Sequence, residues 1–546
     1  MSVSPVQIAP VQATQVPTAV APLPLHISRA TAAALCVAVP LVFGLYAVLL
    51  PQDANWDLQN YHWYNAYAFL TGRADQDIAP AHVPTFYNPT LDVPFYLAAQ
   101  VLPARVLAFI LGALQGLNFA VLYGIAMRAF TGVAVSQRRL SALGVALVGV
   151  LGGGNLGMIG TTFYDNIISL FVLSSIWVVI GTHSASLPRL AVAGLLAGIG
   201  VGLKLPTVVF AIGLCAACFA LPGSFVQRFK SSFVFGLGVL LGFAVFAGHW
   251  TLHLWAAFQN PVFPYFNGLF QSDMGLSQSY RDTRFVPGTV SDILFFPILM
   301  ALNAEQAGEI VFRDWRIAAA FVMLLLTPLA MLVGRTMPRD DAAPNKPAAK
   351  YICAAVAVSY AVWLGLFGIY RYLIPVEMLA PLLVVIAVML WPGPARFKTN
   401  LVVAVLALLV VTGKPGTWGR VPYGDTFVSA TPPEIAEPAQ ALVLLAGHAP
   451  VAWTIPFFPP EVSFVRIQGF INSPEDGDTG LNRKIRNRIE STPGAIYMLA
   501  PQQDRAFADT MLSYYGLALD VQNCRAVSGN LAPNIELCRV NRRTPE

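Results

Sequence analysis

Carboxylates and cations able to move a proton and hold an anion recur at the edges of the apolar runs of this chain. Asp57 stands in DANWDLQNYHWYNAYAFLTG, a polar and aromatic stretch at 53–72 that follows the first apolar run; Asp165 stands in TTFYDN, Lys204 in GVGLKLP and Arg371 in YRYLIPVE. A carboxylate can take the proton of a hydroxyl as that oxygen attacks an anomeric carbon, while cations hold the departing phosphate. Two carboxylates facing two or three cations therefore fit glycosyl transfer from a lipid-phosphate sugar, with Asp57 and Asp165 as the catalytic candidates. Tyr61, His62, Tyr64, Lys204, Arg281, Arg284 and Arg371 are the substrate-binding candidates. Plainer roles stand beside these. Asp165 suits a helix N-cap, His62 and its aromatic neighbours suit an interfacial belt, and Arg371 has Glu377 within reach as an ion-pair partner. Lys204 can snorkel, but a cation at the end of a span away from the other basic residues calls for an anionic partner. The glycines of LGGGNLG, residues 151–157, suit close helix packing better than a phosphate cradle.

These residues need a membrane scaffold to position them. The 546 residues are 56% hydrophobic and 11% charged, with mean hydropathy +0.62, too apolar for one soluble core. The net charge of +5 is scattered through short loops, which excludes nucleic acid as a partner. Apolar runs fit spans near 31–50, 106–127, 141–160, 166–181, 189–203, 205–222, 232–250, 317–334, 351–370, 373–391 and 400–412. The fold expected is an all-α polytopic membrane protein of about eleven transmembrane helices with a small C-terminal α/β domain. The division is a disordered tail at 1–28, a membrane domain at 29–412 with long loops at 51–105 and 251–316, and the α/β domain at 413–546.

One set of alternate loops carries Arg128, Arg138, Arg139, Arg189, Arg228, Lys230, Arg335, Arg339, Lys346, Lys350, Arg396 and Lys398, with Asp340 and Asp341 as its acids. By the positive-inside rule that set is cytoplasmic. The N-terminus is then cytoplasmic, and the two long loops and the C-terminal domain are outside, which suits a disulfide between Cys524 and Cys538. Cys215 and Cys218 lie in an apolar run without a polar shell, as small buried residues do. Within the first long loop, Asp57, Asn60, Tyr61 and Tyr64 would share one face of a helix over 54–71, ended by Gly72. Residues 90–102, bounded by Pro89 and Pro103, are too short to span and lie along the interface. In the C-terminal domain, strand-like runs at 451–458, 495–499 and 535–540 alternate with helix-like runs at 433–445, 481–490 and 503–517.

Together these features resemble the GT-C superfamily of integral-membrane glycosyltransferases, which includes protein O-mannosyltransferases and bacterial aminoarabinose transferases. The resemblance rests on NWDLQNYHWYNAYAFLTGR after the first span, the proline-bounded YNPTLDVPFYL, the Gly-rich LLAGIGVGLKLP and the late YRYLIP, and it covers about residues 30–412. NPVFPYFNGLFQSDMG and RDTRFVPG are similar to the long loop of a bacterial subgroup. The resemblance implies that Asp57 is the catalytic base and that Lys204 and Arg371 bind a polyprenyl phosphate. It implies an inverting enzyme in the bacterial inner membrane, with an undecaprenyl-phosphate-linked donor and a periplasmic or lipid-linked glycan acceptor. The resemblance fixes no cofactor. A divalent metal is the one option the family leaves open, although many members have adjacent acids in the first loop where this chain has Asp57 followed by Leu58, the nearest other acid being Asp53. A transporter or flippase would use the same charges as a substrate path, and a polysaccharide polymerase or ligase would share the substrates; the sequence lacks the internal repeat that transporters usually carry.

Overall fold

The computed structural model describes residues 27–181, 186–335 and 343–543. The expected disordered tail up to residue 26, and Arg339, Asp340 and Asp341 of the charged loops, lie outside the described residues.

The apolar runs fold as helices because a helix satisfies every backbone polar group internally, which hydrocarbon demands. Among the described residues, seven are long and apolar enough to cross a bilayer: Arg29–Leu49, Ala104–Ala129, Phe225–Phe258, Arg316–Val333, Lys346–Leu366, Tyr370–Leu390 and Ala395–Thr412. The runs at 141–160, 166–181, 189–203 and 205–222 fold as the shorter helices Val135–Val150, Asp165–Val179, Leu187–Leu203 and Val208–Ala217, of 16, 15, 17 and 10 residues. One apolar helix, Val290–Leu302, lies inside the stretch that the sequence reads as the 251–316 loop. The molecule is a polytopic helical membrane protein whose central helix is Tyr370–Leu390, buried over 89% of its apolar window against 11% for Ala395–Thr412.

The Leu187–Leu203 and Phe225–Phe258 helices meet backbone to backbone along two Gly-x-x-x-Gly pairs. An added Cβ would stand 2.0 Å from the Phe235 carbonyl oxygen at Gly194, 2.1 Å from that of Val239 at Gly198, and 2.3 Å from those of Ala191 and Leu195 at Gly238 and Gly242. Small residues permit this approach. The seam fixes the helix that ends at Lys204.

Beyond the spans, β1 (Gln52–Asp53) pairs antiparallel with β2 (Arg420–Val421), tying the exit of the first span to the start of the C-terminal region. That region forms one six-stranded sheet from β3 (Ala430–Thr431), β4 (Leu442–Leu445), β5 (Ser463–Arg466), β6 (Ile496–Pro501), β7 (Leu517–Gly529) and β8 (Ile535–Arg542), in the order β3-β7-β8-β6-β4-β5. β5, β4 and β6 are parallel. One sheet face buries Val443, Phe464 and Leu499 against Trp63, Phe95 and Leu107; the other buries Leu444, Val465 and Met498 against Ile485 and Leu512 of the helices Gly480–Glu490 and Arg505–Ser513. Alternation along each strand produces the two faces. A disulfide joins Cys524 to Cys538, which face each other across β7 and β8.

Two elements differ from the sequence expectation. The run 451–458 is a 3₁₀ stretch, Ala452–Phe457, not a strand; Pro456, Pro459 and Pro460 deny it the N–H groups a ladder needs. The end of the helix-like run 433–445 is β4, whose Leu-Val-Leu-Leu is buried at every position, as in a central parallel strand.

Candidate active site

Asp57 enters from a helical segment that is not a regular α-helix. Leu58–His62 forms a π turn and Trp63–Thr71 continues as α-helix, closed by Gly72 at φ 69°. The wider turn inserts residues into the helical register, so the single face expected for Asp57, Asn60, Tyr61 and Tyr64 breaks up. Tyr61 still donates its hydroxyl to Asp57 Oδ2 at 3.1 Å. Asn60 instead donates to the Ala81 carbonyl at 3.0 Å, and Tyr64 to Asp77 at 2.9 Å, away from Asp57. His62 Nδ1 meets Asp92 at 2.6 Å, both buried. Burial holds the His62 pKa down to about 3, and burial, with the charge of Asp57, pushes Asp92 well above the carboxylate range. Asp53, the other acid of the segment, is consumed structurally: it accepts from Thr162 N and Oγ1 at 2.9 and 2.8 Å and from Asn55.

Across from Asp57, the two cations converge. Lys204 sits in extended backbone between two helices and donates to Asp165 Oδ1 at 2.8 Å and to the Phe163 carbonyl at 2.9 Å. Asp165 is the first residue of its helix, with Tyr164 at φ 61° in the cap position, so its carboxylate is aimed at Lys204 and not back at its own backbone. Its Oδ2 is buried without a hydrogen-bond donor among the described residues, 3.9 Å from Arg371. Arg371 reaches Asp57 Oδ2 at 3.3 Å and Glu309 at 3.2 Å, and its guanidinium lies over the rings of Phe163 and Tyr372 at 4.8 and 5.0 Å. Asp165, Lys204, Arg371, Tyr372, Thr207 and Phe210 line one open cleft. A separate small apolar cavity shares Phe210 with it and is bounded by Val172, Ile176, Leu214, Ala355, Val376 and Leu379.

Glu377 does not pair with Arg371. It accepts from the backbone of Gly154 and Asn155 at 3.1 and 2.9 Å and from Tyr370 Oη at 2.7 Å, while Asp314 accepts from Gly153 at 2.8 Å and pairs with Arg316. The LGGGNLG glycines thus cradle two of the protein's own carboxylates as well as allowing close packing; an added Cβ at Gly152 would stand 1.7 Å from Glu377 Oε1. Arg281 and Arg284 are not among the residues lining the cleft, and Arg284 pairs with its neighbour Asp282 in an exposed position. Glu309 was absent from the sequence candidates because nothing around it in NAEQAGEIVF marks it. Burial pushes its carboxyl up, but the charge of Arg371 and the Trp418 indole N–H outweigh this and hold it below its ordinary value.

The arrangement sets a carboxylate with one oxygen engaged by Tyr61 and Arg371 beside a cleft lined by Lys204 and Arg371. It can bind an anionic group and accept a proton next to it.

No protein-family model matches the sequence, and no curated protein matches it. Among solved structures, the chain is similar to the crystal structure of ArnT from Cupriavidus metallidurans bound to undecaprenyl phosphate, at 12% identity and TM-score 0.42, covering 95% of this chain and 100% of that one. A likeness of that size assigns neither residues nor activity, which rest on the geometry above.

Proposed function

We propose that this protein is an inverting membrane glycosyltransferase that moves a sugar from an undecaprenyl-phosphate-linked donor to a glycan acceptor, periplasmic or lipid-linked, at the outer face of a bacterial inner membrane. What supports the reading is the convergence of Lys204 and Arg371 on Asp165 and Asp57, with a small apolar cavity on the far side of Phe210. A phosphate with an isoprenoid tail has the same two-part chemistry. Asp57 then takes the proton from the acceptor hydroxyl as it attacks the anomeric carbon, and the bond to the phosphate oxygen breaks with its electrons going to the phosphate. Lys204 and Arg371 stabilise the charge that gathers there. Asp165 holds Lys204 in place, and Glu309 and Tyr61 do the same for Arg371 and Asp57.

The test is transfer with a defined polyprenyl-phosphate sugar, read as release of free polyprenyl phosphate. Correctly inserted Asp57→Asn protein should bind the lipid and release polyprenyl phosphate about 10²–10⁴-fold more slowly. Full turnover in that variant would refute the assignment. Movement of intact donor across the bilayer without phosphate release would make the protein a flippase.

A further inference from the structure

The C-terminal sheet carries a second group of polar and aromatic residues that this chemistry does not use. In open parallel sheets, ligands collect beyond the carboxyl ends of the strands. β4 pairs parallel with β5 on one side and β6 on the other. The carboxyl ends of β4 and β5 run into Gly447–His448 and Gln468–Phe470, and Gln468 Oε1 accepts from Gly447 N at 2.9 Å, holding the two ends together.

The first long loop closes against this edge. Ile78 bridges to Val465 of β5, and His82 lies between Trp56 and His448, with ring centroids 6.0 and 6.3 Å away and planes within 25° and 13° of its own. Phe470 lies against all three rings, at 6.2, 5.0 and 4.4 Å from Trp56, His82 and His448. Phe470 is 52% exposed and His448 is exposed, so the rings form an accessible face. His82 is buried at φ 58°, ψ −147°, backbone that L residues rarely adopt and that is retained where surrounding contacts impose it. Its Nδ1 accepts from Phe470 N at 3.3 Å, and its Nε2 is buried without a partner among the described residues.

Beneath the rings lies Arg466, fully buried. Its Nε donates to the Pro80 carbonyl at 2.9 Å and Nη1 to that of Gly447 at 2.7 Å; among the described residues Nη2 has no acceptor and the guanidinium no carboxylate. An uncompensated buried cation is strongly unfavourable unless a negative charge meets it. Trp56 immediately precedes Asp57 on the same helical segment.

We propose that the crevice at the carboxyl ends of β4 and β5, walled by Trp56, His448 and Phe470, is the acceptor subsite, and that it takes a saccharide bearing a carboxylate or phosphate. The rings receive the apolar face of the sugar, and Arg466 supplies the positive charge that selects the acidic group. Its role as an acceptor subsite rests on the transferase reading; its binding of an acidic saccharide does not.

The test uses full-length protein in nanodiscs, with cellobiouronic acid and neutral cellobiose as probes in saturation-transfer NMR and titration, and undecaprenyl phosphate binding measured on the same samples. The acidic disaccharide should bind more tightly than the neutral one, with a preference that declines as salt is added. Phe470→Ala and His448→Ala should each weaken it about tenfold and leave lipid binding unchanged. Arg466→Met should abolish the preference, and the salt dependence of the unmodified protein reads the same charge if that variant does not fold. Failure of the acidic disaccharide to bind, equal binding of both probes, or indifference to both ring substitutions would overturn the proposal. Acidic saccharide binding without any lipid binding would uphold the crevice and defeat the transferase reading.

Discussion

Asp57 has two inequivalent oxygens. Oδ2 is shared by Tyr61 and Arg371, and Oδ1 accepts no hydrogen bond among the described residues, so the second oxygen is the one able to receive a proton. Asp57→Asn keeps the size and loses the base, and should lower turnover by about 10²–10⁴-fold with lipid binding retained. Lys204 and Arg371 were legible in the sequence because a cation at the end of an apolar run needs a counter-charge, and Asp165 supplies one of them. Glu309 was not legible: its meaning lies in a contact 62 residues away, and periodicity reports only neighbours along the chain. Tyr64, Arg281 and Arg284 have the type and location of site residues, but Tyr64 turns to Asp77 and Arg284 to Asp282.

At the scale of elements, hydropathy located the seven helices that are long and apolar enough to cross a bilayer, since about 20 apolar residues in a row have few other fates. It could not foresee the π turn at Leu58–His62, which departs from the register on which the face argument depended. Nor could it separate β4 from a helix, because a short all-apolar run carries no period. The glycine seam gives a direct test of packing. Gly198→Val places a side chain 2.1 Å from the Val239 carbonyl oxygen, whereas Gly248, on the partner helix Phe225–Phe258, has nothing within 4 Å of an added Cβ. Thermal unfolding in detergent should show Gly198→Val destabilised by about 1–3 kcal/mol or more and Gly248→Ala unchanged or slightly stabilised. In the C-terminal sheet, the disulfide closes a separation of 14 residues. Paired Cys524→Ser and Cys538→Ser substitutions should cost about 3 kcal/mol by loop closure, measurable in denaturant titration of the full chain.

Across the whole molecule, the C-terminal sheet and the 51–105 loop fold onto each other, with Arg73 donating to the Pro460 and Val462 carbonyls and Asp77 accepting from Phe464 N at 2.9 Å. His82 lies in this junction. Burial first, then the charges of Arg466 and His448, hold its pKa well below the ordinary 6.5. Below pH 6.5 the unfolded chain therefore takes up a proton that the folded chain refuses, so stability should fall as the solution is acidified. The pH dependence of thermal unfolding should flatten on the acid side in His82→Asn, and an unchanged slope would show that His82 does not set it. Transfer from a lipid-linked donor requires the cationic cleft to be a lipid-phosphate site. The measurement that tests this most directly is undecaprenyl phosphate binding to the unmodified protein and to Lys204→Ala and Arg371→Ala, with folding checked in parallel. Each substitution should weaken specific binding by about 10–100-fold, the worth of a charge-assisted contact; absence of binding, or binding indifferent to both cations in folded protein, would contradict it.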